Sequence, residues 1–154
     1  MKKNAYGFTI VELLIVIVVI GILASITIVA FNGIQGRARD AERSQDTSAI
    51  QKVLELYYID KGVYPTHTQL QDPTWRAANL ATADQGIFIN PQDAGSTNSM
   101  VASGSTVALN KYSYYAVTSS AGTSCTDSTL CKGYRMSWKL EANPTTNINK
   151  SIDR

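Results

Sequence analysis

The chain has 154 residues, 44% of them hydrophobic, and a formal net charge of +2. That length suits one compact domain with an anchoring segment and argues against two large domains. Near-balanced charge without a basic stripe excludes the electrostatic footprint of a duplex-binding protein.

In chain order the first element is a short polar, basic leader, residues 1–7 (MKKNAYG). An ordinary secretory signal places its small-residue cleavage site after its apolar stretch. Here the expected processing point, Gly7–Phe8, precedes that stretch, so cutting there retains the apolar segment. Removing Lys2 and Lys3 leaves twelve basic against twelve acidic side chains.

Residues 8–31 (FTIVELLIVIVVIGILASITIVAF) carry a single charge, Glu12. About 20 apolar residues cross a bilayer, so this run predicts a membrane helix, and the protein is single-pass at most. Beyond Phe31 the pattern becomes amphipathic. Ile50, Val53, Leu54, Tyr57 and Tyr58 form one stripe at i, i+3, i+4, i+7, i+8, with Ile34, Ala38 and Ala41 extending it weakly. The whole of 8–60 reads as one helix, roughly 80 Å long if continuous. Gly33 and Gly36 weaken it just past the apolar run, and Lys61-Gly62 with Pro65 ends it. Arg37, Arg39, Asp40, Glu42, Arg43 and Asp46 mix signs, as on a solvated or filament-facing surface. Lys2 and Lys3 precede the span and Arg37, Arg39 and Arg43 follow it, so the positive-inside rule leaves orientation open.

Residues 61–110 are irregular by pattern, with a short helix expected around Trp75–Leu80 and a short strand at Ile87–Ile89. Tyr112–Thr118 and Tyr134–Leu140 alternate as strands, and Tyr134, Met136, Trp138 and Leu140 share one face. Between them lie Cys125 and Cys131, too few for a usual zinc site. Behind an export segment they predict a disulfide closing a small loop, worth about 2–3 kcal/mol. The expected fold class is α+β. A long N-terminal helix, membrane-spanning in its first half, packs its outer half on a small antiparallel sheet. The corresponding segments are 1–7 leader, 8–60 helix and 61–154 head.

Catalysis finds no support. His67 stands alone beside Pro65 without a nucleophile partner, and no Gly-rich phosphate loop is present. The eight tyrosines fit core packing better than a ligand surface. Glu12 needs an explanation, because a charge at mid-membrane costs about 3 kcal/mol. Cleavage would create an amine at Phe8, one helical turn away, which could neutralise the carboxylate from the same or a neighbouring subunit. The alternative is a first-turn acid favoured by the helix dipole.

Gly7-Phe8-Thr-Ile-Val-Glu12 followed by an unbroken apolar run resembles the type IV filament family of pili, competence pili and type II secretion pseudopili. The resemblance is carried by residues 7–26 (GFTIVELLIVIVVIGILASI) and 37–65 (RARDAERSQDTSAIQKVLELYYIDKGVYP). It implies a peptidase that cuts at Gly7–Phe8 and methylates the Phe8 amine, with Glu12 as the assembly carboxylate. It also implies a membrane platform, a cytoplasmic ATPase and a homo-oligomeric helical filament. The chain would start as a cytoplasmic-membrane protein with an exported head and end in an extracellular filament. It lacks the proline that many pilins carry late in the apolar helix. The function implied is a structural pilus subunit; the alternatives are a type II secretion or competence pseudopilin and, further off, a membrane-anchored enzyme or binding module. No cofactor is expected. Some pseudopilins hold calcium in the head, but the spacing of Asp84, Asp93 and Asp127 matches no calcium loop, so solvated loop acids are the preferred reading.

Overall fold

Helix α1 spans Ile10–Lys61, close to the 8–60 expected, and its assignment continues through Gly33 and Gly36. It closes at Gly62, whose φ of +72° suits a residue without Cβ and whose N–H donates to Tyr58 O at 2.7 Å. The computed structural model describes residues 7–93, 95–102, 107–118, 123–127, 129–145 and 147–153. Leader residues 1–6 lie outside the described residues.

Two compact units are present, Met1–Gly36 and Arg37–Arg154, and α1 contributes to both. The second unit carries α2 (His67–Gln71), α3 (Pro73–Asn79), a 3-10 turn (Gln85–Phe88) and strands β1 (Met100–Val101), β2 (Tyr112–Val117), β3 (Gly133–Lys139) and β4 (Asn147–Ile152). The strands form one sheet in the order β1-β2-β3-β4. β2, β3 and β4 are antiparallel neighbours, but β1 runs parallel to β2, so the sheet is mixed where a purely antiparallel one was expected. At two residues, β1 is too short to leave a period in the sequence. At β3, a Cβ on Gly133 would sit 2.4 Å from Ile152 O, so only glycine permits β4 to pair there.

The short helix expected near Trp75–Leu80 is α3, with Asp72 capping it by accepting from Thr74 N–H at 2.8 Å. The strand expected at Ile87–Ile89 is instead the 3-10 turn. Asp84 accepts from Gly86 N–H at 2.8 Å and starts a turn, which outweighs the β preference of the two isoleucines. His67 opens α2, where Thr66 and Gln69 form a capping box.

The stripe on α1 packs as its spacing predicts. Ile50 and Leu54 are fully buried against Tyr114, Tyr134, Met136 and Trp138, and Val53, Tyr57 and Tyr58 pack on the margin. Tyrosines run through this core: Tyr58 stacks on Tyr64 at 4.6 Å, and Tyr64 meets Tyr134 edge-on at 5.0 Å. Tyr114 donates its buried hydroxyl to Pro65 O at 2.7 Å. Cys125 and Cys131 are joined in a disulfide, with Cα atoms 5.8 Å apart. The bridged loop is tied to the helix end: Tyr64 N–H donates to Cys131 O at 2.9 Å, and Lys132 Nζ donates to Gly62 O at 2.8 Å.

Arg76, 1% exposed, gathers the connecting segment. It donates to Leu70 O, Gln71 O, Thr97 O, Asn98 Oδ1 and Gln85 Oε1, and its guanidinium lies 4.7 Å from the Phe88 ring centroid. One side chain thereby satisfies carbonyls from segments that carry little regular structure of their own.

Candidate functional site

In the first unit the described residues form one helix and its short lead-in, and none of those whose burial is described is buried. All residues 7–28 are exposed, Phe8 at 86% and Ile10 at 85%. Each fully exposed Ile, Val or Leu forfeits about 1.5–3 kcal/mol relative to burial. Polar groups within the run are satisfied locally. Ser25 Oγ donates to Ile22 O at 2.7 Å and Thr27 Oγ1 to Leu23 O at 2.8 Å, which hides both hydroxyls from an apolar surrounding.

At its start, Glu12 Oε2 accepts from Thr9 N–H at 2.8 Å and from Thr9 Oγ1–H at 2.7 Å. Thr9 Oγ1 accepts in turn from Glu12 N–H at 3.2 Å. This reciprocal capping box closes the helix two residues after Gly7–Phe8. The helix is long and apolar enough to cross a membrane.

Residues 2–28 match the family model described as the prokaryotic N-terminal methylation motif. The chain is similar to fimbrial protein EcpC of Eikenella corrodens, 32% identical over 103 residues, covering 66% of this chain and 63% of that protein. It is similar to type II secretion system core protein G of Aeromonas hydrophila, 35% identical over 68 residues, and of Vibrio cholerae, 36% over 69 residues. These two matches cover 44% and 45% of this chain and 48% and 47% of the relatives. The methylation motif and these relatives support a type IV pilin-like family. The matched stretch thus spans about half to under two thirds of those relatives. No solved structure matches the chain with significance.

In this pilin-like protein the residues expected at the processing and assembly positions, Gly7, Phe8 and Glu12, lie together at the exposed N-terminal end of α1. The capping role of Glu12 is the helix-end alternative made concrete. It leaves the carboxylate exposed in the single chain, where a second partner can reach it.

The charged row of the pilin-like head corrects the sequence expectation. Arg43 is fully buried rather than solvated. It pairs with Asp40 at 2.6 Å and Glu141 at 3.0 Å and donates to Asn90 Oδ1 at 3.2 Å. Arg39 grips Glu141 with two 2.7 Å bonds, and Asp40 accepts from the N–H groups of Glu141 and Ala142. The β3–β4 turn is thereby locked onto α1. The Arg39 hydrogen bonds, aided by Arg43, hold the Glu141 carboxyl down at about 2.

Asp46 shifts the other way. Burial pushes it up to about 6, opposed by the Tyr112 hydroxyl donating at 3.0 Å and reinforced by Glu42 and Asp84. Its folded state holds the proton more tightly than the unfolded chain. The stability it contributes is therefore present below about pH 4 and lost as pH rises through 6. Asp46→Asn is expected to raise the head's melting temperature by about 3–6 °C at pH 7.5 and to leave it unchanged at pH 4. Thermal melts of the detergent-held chain at the two pH values test this, and an equal shift at both would refute the titration account.

The other positions singled out in the sequence serve local structure. Asp84 caps the 3-10 turn, Asp93 pairs with Lys111 and accepts from Ser99, and Asp127 accepts from Thr129. Among the described residues no three His, Cys, Asp or Glu side chains gather as metal ligands. His67 is partly buried, which lowers its pKa, and its Nε2 has no hydrogen-bond partner among the described residues.

Proposed function

We propose that this chain is a structural subunit of a type IV pilus-like surface filament, assembled through α1 after cleavage at Gly7–Phe8. One observation carries the reading: an apolar helix with no buried residue in residues 7–28 lies under a methylation motif. Such a surface has two stable surroundings, a bilayer and a bundle of like helices. A prepilin peptidase would cut and methylate at Phe8, and a membrane platform with a cytoplasmic ATPase would drive assembly. Mass spectrometry of the filament form should find a chain beginning at N-methylated Phe8. Assembled filaments whose subunits still begin at Met1 would sink the idea.

The second reading, a type II secretion pseudopilin, is supported by the matches to core protein G in several bacteria. The fimbrial match favours the pilus. At 66% of the chain it exceeds the length of α1 and must enter the head, whereas the core protein G matches are little longer than the segment ending at Lys61. Deleting the chain should abolish surface filaments on the first reading and export of hydrolases on the second.

A further inference from the structure

We propose that neighbouring heads join by a knob and a hole: Leu130 of one copy seats in a groove beside α1 of the next. The proposal deepens the filament reading and rests on it, since the partner is a second copy of this chain. Among the described residues of 37–154, three large aliphatic side chains stand mostly exposed: Leu56 at 62%, Ile59 at 78% and Leu130 at 55%. Leu56 and Ile59 lie one turn apart near the end of α1. Leu56 walls a concavity of about 140 Å³ with Val53 and Tyr57 of the same helix and Leu80 at the end of α3. That volume is below the roughly 300 Å³ at which small-molecule pockets begin. It is close to the cavity of about 150 Å³ that holds one benzene-sized group, so it suits a single apolar side chain. Leu130 of the same chain lies outside this lining, which leaves the groove open to another copy.

Leu130 is presented by a pinned loop. It directly precedes Cys131 inside the loop that the Cys125–Cys131 disulfide closes. Its own N–H donates to Asp127 O at 3.1 Å, and Cys131 O accepts from Tyr64 N–H at 2.9 Å. A side chain on backbone held this way loses little freedom on docking. The charges beside the two surfaces agree. Asp60 lines the groove, and the exposed Lys132 stands two residues beyond Leu130. Lys132 Nζ donates one hydrogen bond, to Gly62 O, and an ammonium has two more to give. Asp60 is shared with Lys61 at 2.8 Å, an exposed pair of the kind that contributes little and admits a second cation. Knob and hole are different surfaces of one chain, so every copy both gives and receives. A contact of that type repeats as an open helix wherever its rotation does not close a ring.

The test introduces the photoreactive substitution Leu130→p-benzoylphenylalanine in the full chain and maps its crosslinks in sheared filaments by mass spectrometry. The crosslinks should join two copies and fall on the groove residues of 53–60 or 79–82. Leu130→Asp and Leu56→Asp should each lower filament yield about tenfold. Both side chains are exposed, so the melting temperature of the detergent-held variants should match wild type. Leu56→Lys combined with Leu130→Asp should recover yield several-fold over Leu130→Asp alone, because opposite charges then meet across the contact. Filaments whose crosslinks are absent, fall elsewhere on the chain or join a different protein overturn the proposal and leave the filament reading intact. Single variants that assemble at wild-type yield do the same. Failure of the wild-type chain to form filaments removes both.

Discussion

Glu12→Ala protein is expected to accumulate in the membrane at normal levels, to be cut after Gly7, and to yield few filaments. On the proposed assembly, Glu12 meets the Phe8 amine of a neighbouring subunit. Alanine would leave that amine unpaired in an apolar bundle, a loss of about 3–5 kcal/mol. Membrane insertion should survive or improve, because the mutated helix is more apolar. The capping box adds a control. Losing the cap costs about 1 kcal/mol, too little to abolish assembly. Glutamine at this position can still accept from Thr9 as glutamate does, but carries no charge. Glu12→Gln should therefore be nearly as poor as alanine. If glutamine restores filaments and alanine does not, the carboxylate works as a cap. If alanine itself polymerises normally, the intersubunit account is wrong. Co-expression with wild type should partly rescue entry of the mutant into filaments.

The head should lose about 3 kcal/mol on Glu141→Ala, because fully buried Arg43 keeps only Asp40 as a charged partner and Arg39 is released. Urea unfolding of the detergent-held chain at pH 7 measures this. The pH dependence identifies the cause. Glu141 has its folded pKa at about 2, below its ordinary value, so its stabilisation is complete above about pH 5 and lost as pH falls towards 2. The variant should lose stability less steeply over that interval than wild type. A loss of less than about 1 kcal/mol at pH 7 would place Glu141 among ordinary surface ion pairs.

What was legible in the sequence was whatever repeats locally. The α1 stripe, the β2 and β3 strands and their shared face each carry a period, and each element is long enough to display it. The capping box at Thr66 and Gln69 was also in plain view and would have placed His67 on a helix. So was the alternation of Ile148, Lys150 and Ile152 in β4, hidden only by its polar neighbours. The ionic cluster was not legible. Arg39 and Arg43 look like a solvated row because their partner Glu141 lies 102 and 98 residues away, a distance no local pattern reports. Arg76 is similar: five neutral acceptors from scattered segments surround it, and nothing in its neighbourhood marks it as buried. At the N-terminal site, the sequence supplied the motif and the structure supplied the Thr9–Glu12 geometry.

Lipid tails are as apolar as leucine, so moving residues 8–28 from a bilayer into a bundle of identical helices gains little hydrophobic free energy. Passage through water would instead expose the whole run, at a cost on the order of tens of kcal/mol. A subunit would then cross directly from one apolar phase to the other. Growth and shrinkage would lie close to balance, and their direction would be set by work done on the chain. The quantity governing supply would be two-dimensional: subunits per area of membrane.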